Sequence, residues 1–451
     1  MKRHATAVAA ALALSGAAQA QSNAELKSML DEAMKTIQNL KARVDTLEQQ
    51  RPASAAAPPA AADASTATSP WAPAASAPTR AEDAVPVADK PRAEFYGQAM
   101  LDAIYDFRRM NPDWNATLRP SQIPIVCPGS PGCGKDGATI FSVRQTSLGF
   151  RSFIPTSLGE IKTDLSFDLF GTNGSTEVHW LNAWAEWGMY GVGQTYTNFM
   201  DIDVFPNTID YWGPSGMVFV RNPQMRITPY SRDGMSVAFS LESPNSAVDA
   251  GRVNRIDPAL GASITGWNRM PDAVASLKLE RDWGHVRSAA LLRQVGFQNT
   301  ASPSGDPSGT RTGYGLNLSG IFNVNGNDRL GWQLAGGRGI ASYMNDGGVD
   351  LAPGANLQAE TVPSVGWLVY YNHQWSDKWS SAIGYSEHRQ NNTGGQLPTA
   401  FRKGSYSSIN LLYAAAKNVT TGAELIWGRL ENKIGASEID YRLQYSTKVS
   451  F

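Results

Sequence analysis

Two arginines stand five residues apart in VRNPQMRIT at 220–228, and the segment before them, 196–217, holds three aspartates and no basic residue. Arg221 and Arg226 can grip carboxylates or phosphates through forked guanidinium donors. Asp201, Asp203 and Asp210 can oppose them with a negative field, or pair with them and hold the segment in place. Arg144 and Arg151 bracket another short segment. Arg287 and Arg293 share parity on a third, against Val286, Ala290 and Leu292.

Other chemistry finds little support. GSPGCGKD at 129–136 nearly matches a phosphate-binding loop, but Asp136 stands where a hydroxyl would hold Mg²⁺, and no strand-then-helix context surrounds it. His179, His285, His373 and His388 lack metal-ligand spacing, and no G-x-S-x-G elbow appears. The expectation is a protein that is not an enzyme and needs no cofactor. A hydrolase hidden in a barrel wall would need a Ser-His pair with an orienting third group.

Elements that could position the arginines come from period-two alternation. EIKTDLSFDLF sets Ile161, Leu165, Phe167 and Leu169 against Lys162, Asp164, Ser166 and Asp168. DYRLQYSTKVSF sets Tyr441, Leu443, Tyr445, Val449 and Phe451 against Arg442, Gln444, Ser446, Lys448 and Ser450. Such strands have one apolar and one polar face. Seven short turns, near 157–160, 187–191, 231–234, 281–284, 325–328, 376–378 and 418–422, read as hairpins and supply fourteen strands. One strand near 95 and one near 445 are left to pair with each other. The sum is sixteen, with long loops at the opposite end. This is the layout of a transmembrane antiparallel β-barrel whose apolar face meets outer-membrane lipid. Its last strand closes the barrel, because an open edge in lipid costs several kcal/mol per backbone group.

Residues 196–217 form the third outer loop. Phe199, Phe205, Ile209, Tyr211 and Trp212 make it too apolar to lie free in water. It should fold into the lumen and narrow it, or else pack over a neighbouring subunit. An arginine facing lipid at mid-depth costs about 2–4 kcal/mol, so Arg221 and Arg226 should both face the lumen. Five apart, they fall on opposite faces of a regular strand. Pro223 between them predicts a bulge near Asn222–Pro223 that shifts parity by one.

The rest of the chain reads as export and spacing. Residues 1–20 have the basic start, short apolar run and A-x-A site of a targeting signal. Residues 21–50 carry heptads, with Leu30, Ile37 and Val44 at a and Leu26, Ala33, Leu40 and Leu47 at d, and read as a periplasmic coiled coil. Residues 51–92 form an Ala/Pro-rich linker, and the barrel should occupy 93–451. Cys127 and Cys133 are the two cysteines, and two so close in an exported chain should pair as a disulfide, the alternative being two free thiols. Lys plus Arg (39) balances Asp plus Glu (40), which removes the electrostatic case for nucleic acid.

The chain resembles the DcaP-like outer-membrane porins. The resemblance rests on VGQTYTNFMD (192–201), FPNTIDYWGPSG (205–216), VRNPQMRIT (220–228) and YYNHQWSDKWSSAIGY (370–385), after N-terminal heptads and an Ala/Pro spacer. It covers nearly the whole mature chain. It implies a trimeric sixteen-stranded channel associated with uptake of dicarboxylic acids, and carries Arg221 and Arg226 over directly. Asn222 departs from the family's glutamine. The heptads alone lean towards a dimer, whereas the resemblance favours a homotrimer. The function expected is passive diffusion of small anionic solutes. The rivals are a non-selective porin and a structural anchor with a periplasmic tether.

Overall fold

Alternation carries one sheet around a closed ring. The computed structural model describes residue 35 and residues 90–125 and 135–451. The chain divides into two units, Met1–Thr66 and Ala67–Phe451, and the barrel belongs to the second. Its strands are β1 Arg92–Asp106, β2 in two pieces at Ala138–Ser142 and Ser147–Thr156, β3 Gly159–Phe170, β4 Thr176–Trp187, β5 Tyr190–Tyr196, β6 Arg221–Arg232, β7 Met235–Glu242 and β8, again in two pieces, at Ile264–Gly266 and Asp272–Arg281. They continue with β9 Gly284–Asn299, β10 Gly309–Asn323, β11 Arg329–Arg338, β12 Pro363–Gln374, β13 Trp379–Gln390, β14 Phe401–Ala416, β15 Val419–Asn432 and β16 Ser437–Ser450. Two interrupted strands reduce the 18 segments of the sheet to sixteen spans. Every pairing is antiparallel, and β16 pairs with β1 from Gln98↔Ser450 to Asp106↔Arg442. The seven hairpins fall where the turns were read. One two-residue hairpin, at Asp233–Gly234, has both central residues at positive φ (54° and 64°), the twist such a turn needs.

Parity then sorts the side chains. On β16, Arg442, Gln444 and Ser446 are fully buried, while Tyr441, Leu443, Tyr445 and Val449 are exposed. An apolar outside and a polar inside are the inverse of a soluble sheet and suit lipid.

The interior also holds an apolar core, supplied mainly by loops. Leu118 from the first outer loop, Phe199, Met217 and Val218 from the third, and Tyr343 and Met344 from the sixth are all buried in one cluster. Full burial of each large apolar side chain is worth about 1.5–3 kcal/mol, enough to draw these loops inward.

One expectation fails. Pairing of β5 with β6 runs unbroken from Tyr196↔Arg221 to Tyr190↔Ile227, so no bulge lies at Asn222–Pro223. The reason is local. The Pro223 carbonyl accepts from Ser243 N at 2.7 Å, so its missing N–H points to the same side, just past the last β6–β7 rung at Gln224↔Glu242. No β5–β6 bond is lost there. The bulge sits instead between Ile227 and Tyr230, at Thr228–Pro229. Cys127 and Cys133, the targeting signal, the heptads apart from Lys35, and the linker up to residue 89 lie outside the described residues.

Candidate functional site: the lumen at loop three

The third outer loop crosses the interior and is pinned to distant walls. Glu424 on β15 accepts from Ile209 N (2.9 Å) and Asp210 N (3.1 Å). Asn410 on β14 donates to Asn207 O (2.6 Å). Tyr211 donates to Asp168 on β3 (2.6 Å), and its ring stacks on Phe170 at 4.1 Å. The Trp212 indole donates to Asn345 O in loop six (2.8 Å).

The loop's carboxylates serve as anchors, and the wall arginines are not their partners. Asp201 is 2.9 Å from His285 Nε2 on β9 and accepts from Ser319 on β10 (2.8 Å). Burial pushes the Asp201 carboxyl up, but the hydrogen bond and charge of His285, with Arg287 and Lys278 nearby, outweigh it and hold the group below the usual range. Asp203 pairs with Lys278 on β8 at 2.7 Å. Asp210 accepts from the Thr117 hydroxyl (2.8 Å), Leu118 N (3.1 Å) and Tyr406 (3.2 Å), and burial raises its carboxyl. Thus Asp210 ties loop three to loop one and to β14.

Asp201, Asp203 and His285 place their ligand atoms within 4.8 Å of one another, the spacing of a metal set. The Lys278 ammonium already supplies the positive charge at Asp203, and Asp201 is taken up by two donors. The cluster reads as a loop anchor.

The six arginines singled out by sequence separate into two groups. Arg293 is fully buried, 3.1 Å from Asp272 and 3.6 Å from Asp350, and braces β9 to β8 and loop six. Arg151 pairs with Asp164 at 3.2 Å beneath Tyr96, whose hydroxyl also donates to Asp164. Arg144 donates to Thr176 and Asn115, both at 3.2 Å, and so holds loop one near the second outer loop.

The remaining three gather where β5 runs into loop three. Arg226 donates to Tyr196 O (2.5 Å) and to Gln224 Oε1 (2.9 and 3.1 Å), and lies 5.4 Å from the Trp184 ring. Arg287 donates to Asn198 O (3.0 Å), Asn198 Oδ1 (2.9 Å) and Ser276 (3.1 Å). Arg221 stacks 4.0 Å over Tyr196 and bonds its hydroxyl. It shares parity with Pro223 and the exposed Met225 and so lies on the opposite strand face from Arg226; without the bulge, the expectation that both face the lumen is not met. Arg221 sits past the last β4–β5 rung at Ala183↔Gln194, close enough for its charge to act on the Tyr211 phenol. Among the described residues, none of the three has a carboxylate within the 4.0 Å of an ion pair.

Sequence reading missed Glu424 and Asp168, the wall carboxylates that hold loop three. Their signal was faint: acidic residues on the polar face of an otherwise apolar strand.

A closed sixteen-stranded barrel with an apolar exterior and an inward-folded third loop is a porin-type channel of the outer membrane. The family model for DcaP outer membrane proteins matches residues 18–253, and the chain belongs to that family. The outer membrane channel DcaP of Acinetobacter baumannii shares the fold, with a TM-score of 0.69 and 20% identity over 80% of this chain and 98% of that one. A porin from Comamonas acidovorans, described as anion-selective, superposes with a TM-score of 0.52 and 8% identity over 80% of this chain and all (100%) of the other. No curated protein sequence matches.

Proposed function

We propose that the protein is a homotrimeric channel for passive diffusion of small anionic solutes, dicarboxylates among them, through a constriction of loop three and lumen arginines. One observation carries the reading: Arg226 and Arg287 meet at the loop-three junction with only neutral oxygens as partners. A guanidinium held by carbonyl and hydroxyl groups keeps its full charge for a passing anion, and its fork matches a carboxylate. The rigid anchoring of Asp201, Asp203 and Asp210 supports the same reading. Asp201 and Asp203 lie near Arg287 but are taken up by His285, Ser319 and Lys278, and Asp210 is tied to loop one and β14. The N-terminal heptads would then stand on the periplasmic side, where β1 begins. Arg144, Arg151 and Arg293 act in this reading as braces.

The test is reversal potential across a salt gradient in planar bilayers, for wild type and for Arg226→Ala with Arg287→Ala, with succinate as blocker. The double variant should lose anion preference and succinate block. Wild-type ion preference and block in that variant would leave a non-selective porin.

A further inference from the structure

The outward face of β13–β15 carries charge where lipid-facing residues are expected. Its cross-strand rows can be read from register. One row runs Ile383–Ile409–Leu425–Leu443, and the next holds Tyr385, Ser407, Trp427 and Tyr441. The third holds Trp367, Glu387, Ser405 and Arg429, and the fourth holds Val365, Arg389, Lys403 and Glu431. Successive rows are two residues, about 7 Å, apart along a strand. The order is therefore aliphatic, aromatic, charged, advancing towards the long loops. Aromatic side chains mark the level of the membrane–water boundary, so the charged rows lie among outer-leaflet headgroups. An outward cation is tolerated there, at about 0–1 kcal/mol, and not at mid-depth.

Arg389 and Lys403 are directly opposite each other on neighbouring strands. Like charges so placed repel. Lys403 is 3.7 Å from Glu387, and Glu431 is 3.4 Å from Arg402 and 3.8 Å from Arg429. Four basic groups (Arg389, Arg402, Lys403, Arg429) thus meet two carboxylates (Glu387, Glu431), and the side chain of the exposed Arg389 has neither a hydrogen bond nor an ion pair among the described residues. A bulge at Arg402 crowds it beside Lys403 against Glu431. Arg389 and Asn391 also line an open cleft of about 410 Å³ whose other walls include Pro363 and Val365. The cleft offers a cation, an amide and an apolar wall together.

We propose that this face binds a phosphate group of an outer-leaflet glycolipid, clamped between Arg389 and Lys403, with its apolar part against Pro363 and Val365. The bound anion relieves the repulsion between the two cations, and the forked guanidinium suits phosphate oxygens. Because the site faces away from the lumen, it is independent of ion selectivity.

Native mass spectrometry of the full-chain protein in detergent would test it, with bisphosphorylated lipid A, dephosphorylated lipid A or inorganic phosphate added. The phosphorylated lipid should remain bound, and the other two should not. Arg389→Gln with Lys403→Gln should lower the bound fraction about tenfold or more, as two charge-assisted contacts are lost. The same variant should keep the wild-type ion preference and subunit number. If it fails to fold, Arg389→Glu alone should give the same loss. Equal retention of dephosphorylated lipid, wild-type binding by the variants, or displacement by inorganic phosphate would each overturn the proposal. A changed subunit number in the variant would assign the face to a second copy of the chain instead.

Discussion

Arg442 on β16 and Asp106 on β1 meet across the seam that closes the barrel, Nη2 to Oδ2 at 2.6 Å. Arg442 also lies 3.4 Å from Asp440 and donates to Asn115 O of loop one (3.1 Å). One fully buried guanidinium therefore joins first strand to last and holds an inward loop against the seam. Replacing Arg442 by Met leaves two buried carboxylates without a cation, a loss of about 3–5 kcal/mol. Urea midpoints followed by gel mobility of the folded barrel should fall accordingly. An unchanged midpoint would mean that water already compensates these groups.

Gly97 makes room for the same closure from the other rim. Its N–H and carbonyl exchange bonds with Phe451, both at 3.1 Å, and an added Cβ would stand 2.5 Å from Ser147 O and 2.9 Å from the Phe451 ring. Gly97→Val should cost about 1–3 kcal/mol through overpacking and slow barrel assembly in folding assays. Adding Phe451→Ala to the Gly97→Val variant should recover part of the loss on the ring side.

Arg293 and Arg226 should separate brace from selectivity. Arg293→Met removes the partner of Asp272 and Asp350, so stability should drop by about 3–5 kcal/mol with ion preference unchanged in whatever folds. Arg226→Ala should do the reverse. Paired urea titrations and reversal potentials read both, and identical profiles for the two variants would contradict the division.

Loop three depends on Glu424. Glu424→Ala strips the acceptor from Ile209 N and Asp210 N, each left unsatisfied at about 1–3 kcal/mol. The loop should loosen, and single-channel traces should become larger and noisier. A quiet trace of wild-type amplitude would show that the apolar contacts alone fix the loop.

Acid should weaken one hairpin through Asp328. This turn carboxylate accepts from Gln374 N (3.0 Å), from Tyr371 (2.7 Å) and from His373 Nδ1 (2.8 Å), and these bonds, the Gln374 N–H foremost, lower it from 3.8 to about 2. A depressed carboxyl stabilises the fold above its unfolded value, and that contribution is lost as pH falls through the folded one. Wild type should therefore lose urea resistance between about pH 5 and pH 2. Asp328→Asn should start lower and change less over that window.

Alternation by itself determined the strands, because a period of two commits each residue to lipid or lumen before any tertiary contact exists. Short turns then determined the count of sixteen, and Arg287 with Arg293 determined their own inward parity from Val286, Ala290 and Leu292 around them. The apolar content of loop three likewise required burial. What sequence could not assign was partners, since these depend on which walls face each other across the lumen. Asp201 and His285 are 84 positions apart, Asp210 and Tyr406 are 196 apart, and Ile209 and Glu424 are 215 apart. Only closure brings them together. The same holds for Pro223, where the side of the strand facing its missing N–H decided that no bulge was needed. Tertiary pairing also divided six similar arginines, giving Arg293 and Arg151 carboxylates while leaving Arg221, Arg226 and Arg287 to neutral oxygens. That division follows from distance to fixed charges across a closed ring, which no one-dimensional spacing contains.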